Sequence, residues 1–131
     1  MGSQVQQPTK NSSVILIVED SDVTRRLLQS ILAREGYQTL TATNGAEGWQ
    51  LLMQSAVDLV FSDVMMPEMT GLELCVRVRD TPTLAHIPVI LCTGAMDPKI
   101  NQACLDSEAN ACLQKPIPID VILQTIKRFL P

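Results

Sequence analysis

Three carboxylates, a hydroxyl and an ammonium stand directly after short apolar runs in this chain. Glu19 and Asp20 follow VILIV (14–18), Ser62 and Asp63 follow VDLVF (57–61), Thr93 and Gly94 follow IPVILC (87–92), and Lys115 and Pro116 follow ACLQ (111–114). After YQTLTA (37–42) come only the uncharged Thr43 and Asn44. Crowded carboxylates repel, and each has its pKa raised unless something positive holds them ionised. A hard divalent cation does this. Mg²⁺ takes oxygen ligands and typically uses one or two carboxylates beside phosphate oxygens, a description that Glu19, Asp20 and Asp63 fit with no soft ligand among them. Lys115 and Thr93 are not metal ligands, so they point to an anion that the metal also touches, and a phosphoryl group suits both. An aspartate can itself accept a phosphoryl group as an acyl phosphate. Cation, ammonium and hydroxyl would then hold the transferring group on three sides. Asp63, alone after the middle run, is the best nucleophile, which leaves Glu19 and Asp20 to hold the metal.

For these residues to meet, the runs must be strands of one parallel sheet. Helical patterns alternate with the five runs. In residues 22–35, Val23, Leu27, Leu28, Ile31 and Leu32 share a side, with Asp22 as the cap. Asn44 caps a second helix, with Ala46, Trp49, Leu52, Met53 and Ala56 on its inner face and Trp49 in the core. A third spans about 70–79, a fourth about 97–106 with Asp97 as cap and Pro98 at its first position, and a fifth 118–130, striped by Ile119, Ile122, Leu123, Ile126 and Leu130. Five strands alternating with five helices predict an α/β fold, doubly wound, with a parallel sheet covered on both faces. The first, third and fourth runs are nearly all apolar, as central strands must be; YQTLTA suits an edge. Ligands in such sheets bind beyond the carboxyl ends of the strands, where strand order reverses.

Composition narrows the function classes. The chain has 131 residues, 46% hydrophobic and 18% charged, with a formal net charge of −4. This length predicts one domain and no second catalytic or DNA-binding unit. The acidic balance argues against nucleic acid, which needs a basic face, and no apolar run approaches the ~20 residues of a membrane span. Residues 1–13 are polar, lack a secretory pattern and are expected to form a disordered tail, with 14–131 as the folded unit. Cys75, Cys92, Cys104 and Cys112 include no CxxC pair, which predicts reduced core thiols in a cytoplasmic protein. Cys104 and Cys112 form a conceivable redox pair, but nothing in their spacing supports contact. His86, the only histidine, reads as a loop residue.

Taken in order, VILIVEDSD, VFSDVMMPEMTG, ILCTG and LQKP resemble the receiver domain of bacterial two-component response regulators, over about 14–131. The resemblance implies a flavodoxin-like fold of strand order 2-1-3-4-5. It implies Asp63 as phosphoacceptor and Mg²⁺ held by Asp20, Glu19, Asp63 and the backbone carbonyl of Met65. Lys115 and Thr93 become the phosphoryl-binding and switch residues, Lys115–Pro116 a cis bond, and Pro67 and Gly71 the shapers of the loop after Asp63. A histidine kinase or phosphotransfer protein is the implied donor, with an unidentified downstream protein target. The face carrying Val121 and Phe129 on the last helix is a candidate for partners or a homodimer. Catalysis is confined to the domain's own phosphorylation and slow dephosphorylation, so it is not an enzyme in the usual sense.

Several positions depart from that pattern. Cys112 stands where receivers usually carry the switch aromatic. Glu108 and Asn110 occupy a segment where Gly is common, which predicts a stiffer loop. Gly94 replaces a common Ala and is expected to open the wall above the site. Met65 and Ala95, two residues beyond Asp63 and Thr93, cannot position an attacking water, so a long-lived acyl phosphate is expected. Two other readings compete. Asp20 to Thr24 reproduce the D-x-D-x-T string of haloacid-dehalogenase-type phosphatases, with Asp20 as nucleophile; the substituted Cys112 alone favours a phosphorylation-independent interaction module.

Overall fold

The computed structural model describes residues 13–94 and 97–130; most of the expected tail, together with Ala95, lies outside them. Ten elements alternate as β1 (Val14–Val18), α1 (Asp22–Arg34), β2 (Gln38–Ala42), α2 (Gly45–Gln54), β3 (Leu59–Asp63), α3 (Gly71–Asp80), β4 (Val89–Thr93), α4 (Pro98–Asp106), β5 (Ala111–Gln114) and α5 (Ile119–Phe129). The strands form one parallel sheet in the order β2-β1-β3-β4-β5, so strand order reverses between β1 and β3.

Alternation along the strands divides the core in two. Leu16, Val18, Val60, Val89 and Leu91 join Leu52 of α2, Leu74, Cys75 and Val78 of α3 and Cys104 of α4 on one face. Ile15, Ile17, Leu59, Phe61 and Ile90 meet Leu28 and Leu32 of α1 and Ile122 and Ile126 of α5 on the other. Burying each such side chain contributes about 1.5–3 kcal/mol, so β1, β3 and β4 are fixed from both sides. β2 and β5 are the edges.

Two strands sit later in the chain than the apolar runs suggest. Asp63 and Thr93 are the last residues of β3 and β4, paired with Cys92 and Gln114, and Asp58, ahead of β3, accepts a hydrogen bond from the Val14 amide at 2.8 Å. Ladder pairing thus extends into the polar residues, because at the end of a parallel strand a side chain can face the rim while its backbone stays bonded. The α1 cap is Ser21, whose hydroxyl accepts from the Thr24 amide at 3.3 Å; Asp22 begins the helix and pairs with Arg25. On α1 only Leu28 and Leu32 are buried, while Val23 and Leu27 are exposed, as are Met53 of α2 and Ile119 of α5. A helix lying on a sheet buries a narrower stripe than its apolar sequence pattern offers. Trp49 is half-buried, its ring under the Arg77 guanidinium at 5.4 Å.

The α4–β5 connection is set by one non-glycine in the left-handed region, Glu108 at φ 63°. Arg79 holds this turn: its guanidinium donates to the carbonyls of Glu108 (2.9 Å) and Ile87 (2.7 Å) and to Asn110 Oδ1 (2.6 Å). The loop therefore adopts a conformation natural to glycine without having one. Left-handed backbone costs a non-glycine roughly 1–2 kcal/mol, partly offset by the extra chain entropy a glycine loses on folding. Glu108→Gly is expected to stabilise the protein by about 1 kcal/mol or less, seen as a higher urea midpoint at unchanged slope.

Candidate functional site

The carboxyl ends of β1, β3, β4 and β5 deliver the polar residues to one rim. Carboxylate oxygens of Glu19, Asp20 and Asp63 lie within 4.8 Å of one another. Lys115 Nζ is 3.1 Å from Glu19 Oε1 and 3.1 Å from Asp63 Oδ2. The Glu19 and Asp63 side chains are only 4% and 10% exposed, against 33% for Lys115, while Asp20 faces solvent. All three acids offer hard oxygen donors and no sulfur or nitrogen, so the set fits a hard cation.

The electrostatics follow from this crowding. Burial raises the Glu19 carboxyl above its usual range and the Asp63 charge adds to the effect, while hydrogen bonds from the Ser21 amide and Lys115 oppose it. For Lys115 burial disfavours the charge, yet hydrogen bonds and attraction from Glu19 and Asp63 prevail and its pKa rises. One ammonium is thus shared by two buried carboxylates, and the third acid has no part in that pairing. The rim has spare negative charge for a cation.

Local structure explains why each group is held. The Glu19 amide donates to the Ala42 carbonyl at 3.0 Å, its carbonyl accepts from Arg25 Nη1 at 2.9 Å, and its Oε2 accepts from the Ser21 amide at 3.0 Å. Thr93 is fully buried and its carbonyl accepts from the Lys115 amide at 2.8 Å, which ties hydroxyl and ammonium to adjacent strand ends. The Lys115–Pro116 bond is cis. Beyond Asp63, Met65 and Pro67 are exposed while Met66 is buried. Gly71 closes that loop: its amide donates to the Val64 carbonyl at 3.0 Å, and an added Cβ would stand 2.1 Å from the Asp63 carbonyl oxygen. At Gly94 a Cβ would meet nothing within 4 Å, so the backbone there makes no demand for glycine.

Two contributors carry little signal in the sequence. Gly45 lets α2 approach the loop, since a Cβ would lie 2.5 Å from the Met69 carbonyl oxygen; the Asn44–Gly45 pair was its only signal. Arg25 carried only its spacing from Asp22. An open cavity of about 440 Å³ adjoins the rim between α1 and α5, with Glu19, Asp63 and Lys115 at one side and Leu27, Phe61 and Ile119 among its apolar walls.

The cysteines divide into two pairs. Cys75 and Cys92 are buried free thiols, and burial pushes both thiols up. Cys104 and Cys112, whose spacing offered no support for contact, are joined as a disulfide with Cα atoms 6.4 Å apart. Helix α4 turns back over β5 so that residues eight positions apart face each other. That corrects the expectation of four separate core thiols.

The D-x-D-x-T string resolves into unrelated parts: Asp20 in the acidic cluster, Ser21 capping α1, Asp22 paired with Arg25 and the Thr24 amide bonded to the cap. A family model for the response regulator receiver domain matches residues 15–127. The sensor histidine kinase RcsC of Salmonella typhimurium is 37% identical over 118 residues, which cover 90% of this chain and 12% of the kinase. The polar-differentiation response regulator DivK of Brucella anthropi is 31% identical over 116 residues, 88% of this chain and 94% of DivK. The solved signal receiver domain of a histidine kinase from Syntrophus aciditrophicus matches with TM-score 0.86 at 41% identity, covering 90% of this chain and 89% of that one. The chain belongs to the response regulator receiver domain family, the phosphoacceptor modules of two-component signalling. It corresponds to a small part of RcsC and to nearly all of DivK, and no helix among the described residues is long and apolar enough to cross a membrane.

Proposed function

We propose that Asp63 accepts the phosphoryl group, with Glu19, Asp20 and the Met65 carbonyl completing a Mg²⁺ site. The observation that carries this reading is the contact of Asp63 with Lys115 at 3.1 Å inside the three-acid cluster. A solved structure of the response regulator TrrA from Thermotoga maritima, 28% identical with TM-score 0.80, is a complex with Mg²⁺ and BeF, which supports the choice of metal. When bound, Mg²⁺ would neutralise charge on the phosphoryl oxygens and on the acids around them.

The remaining work falls to the chain's own groups. An Asp63 carboxylate oxygen attacks the phosphorus of a phosphohistidine on a kinase or phosphotransfer protein. The P–O bond to Asp63 forms, the P–N bond breaks, and the imidazole leaves with the electron pair. The Lys115 ammonium exchanges its carboxylate partner for a phosphoryl oxygen, and the Thr93 hydroxyl donates to another, which alters binding of a downstream protein. Such a module works in the cytoplasm, where kinase and target meet, and α5 with Val121 and Phe129 offers a face for a target or a second copy.

The test is Mg²⁺-dependent labelling by acetyl phosphate. A stoichiometric acid-labile phosphate is expected with Mg²⁺ and essentially none in EDTA; absence of label under both conditions leaves only a phosphorylation-independent module. Because neither Met65 nor Ala95 can orient a water, the phosphoprotein is expected to persist well beyond seconds once donor is removed, and decay within seconds contradicts that point.

A further inference from the structure

Of the five helices, α4 buries the fewest residues. Helices α1, α2, α3 and α5 each bury at least two residues, whereas α4 buries only Cys104, with Ile100 partly packed against the same cluster. The loop that follows is bonded to the end of α4, where the Glu108 amide donates to the Leu105 carbonyl at 3.0 Å. It is also held from the other side, because Arg79 ties Glu108 and Asn110 to α3 and Asn110 accepts from the Val89 amide at the start of β4. Cys112, on β5 opposite Leu91, is half-buried and meets Cys104 sulfur to sulfur. The Cα separation of 6.4 Å lies inside the usual 4.4–6.8 Å range for a disulfide.

We propose that Cys104 and Cys112 form a peroxide-oxidisable dithiol site whose reversible disulfide staples α4 to β5. Cys112 is the more accessible partner and reacts first. Its thiolate attacks a peroxide oxygen, the O–O bond breaks, and the products are a Cys112 sulfenic acid and hydroxide, which takes up the thiol proton as water. The Cys104 thiolate then attacks the sulfenic sulfur; the S–S bond forms, the S–O bond breaks, and the departing hydroxide takes the Cys104 proton as a second water. Two thiols lose two electrons, one peroxide gains them, and a dithiol reductant reverses the change. Cys75 and Cys92 are buried free thiols; Cys75 shares a core cluster with Cys104 but its sulfur donates to the Ser107 carbonyl at 3.2 Å, and both remain thiols. Since β5 also leads to Lys115, one residue beyond its end, the staple sits where it can govern how freely α4 moves relative to the phosphorylation rim.

The experiment uses the whole chain, without phosphorylation, so its outcome is independent of the role proposed for Asp63. The protein is reduced, then treated with a small excess of hydrogen peroxide, and both forms are compared by intact mass, non-reducing peptide mapping and amide hydrogen exchange. The oxidised form is expected to lose the mass of two hydrogens, to yield one cross-linked peptide joining Cys104 to Cys112, and to exchange α4 amides about tenfold or more slowly than the reduced form. A dithiol should restore the faster exchange. Cys112→Ser, which leaves the buried Cys104 in place, should abolish both the bridge and the peroxide sensitivity of α4. Sulfinic acid on Cys112 without a bridge, a bridge to Cys75 or Cys92, or equal α4 exchange in the two states overturns the proposal.

Discussion

An Asp63→Asn variant is expected to lose acid-labile phosphorylation by acetyl phosphate, to below about a thousandth of the unaltered rate, as removal of a nucleophile does elsewhere. The amide keeps the size of the carboxylate and an oxygen for Lys115 Nζ, now 3.1 Å from Asp63 Oδ2, so the rim should stay assembled. Circular dichroism should therefore show an intact fold beside the lost chemistry. Lys115→Ala is a milder case. Its ammonium is a preorganised donor, and removing one such group slows a reaction roughly 10²–10³-fold. If the two variants behaved alike and retained most of the rate, the acceptor would lie elsewhere on the rim, with Asp20 the first alternative.

Gly71→Ala is expected to be the most damaging single-methyl change in the protein. The added Cβ would stand 2.1 Å from the Asp63 carbonyl oxygen and 3.0 Å from Ser62 Oγ. The first of these atoms is backbone of the strand that carries the site. Neither side can yield cheaply: β3 is paired on both flanks, and α3 begins at Gly71 with a capping box between Thr70 and Glu73. Overpacking of this kind costs about 3 kcal/mol, readable as a lowered urea midpoint. Relief by shifting Asp63 even 1 Å should also slow phosphorylation about 10²-fold. Gly94→Ala is the matched control, because its Cβ enters open space and should change stability by less than about 0.5 kcal/mol.

The two glycines show what the sequence could and could not convey. Gly94 directly follows β4 and Gly71 begins α3, and only the close approach of the Asp63 carbonyl to Gly71 separates an essential glycine from a replaceable one. The alternation of apolar runs and amphipathic stretches was enough to read the five strands and helices, since each must bury its own face. The convergence of Glu19, Asp20, Asp63, Thr93 and Lys115 was readable because a parallel sheet sends every strand end to the same rim.

Tertiary detail was not readable. Val23 and Leu27 belong to the apolar pattern of α1, yet the sheet covers only the stripe through Leu28 and Leu32. Asp63 and Thr93 look like loop residues because they are polar, whereas ladder pairing carries both strands through them. Cys104 and Cys112 meet only because α4 folds back over β5, a geometry that their spacing does not encode. Glu108 likewise hides its left-handed backbone behind a residue type that rarely adopts it.

The central claim is that one carboxylate, at the end of the middle strand, takes the phosphoryl group. Its most direct test is to phosphorylate the protein with acetyl phosphate and Mg²⁺, trap the acyl phosphate by borohydride reduction to the alcohol, and locate the altered residue by peptide mass spectrometry. The account predicts a single reduced side chain at Asp63, absent when Mg²⁺ is withheld. Modification at Asp20, or at any other carboxylate with Asp63 untouched, would contradict it.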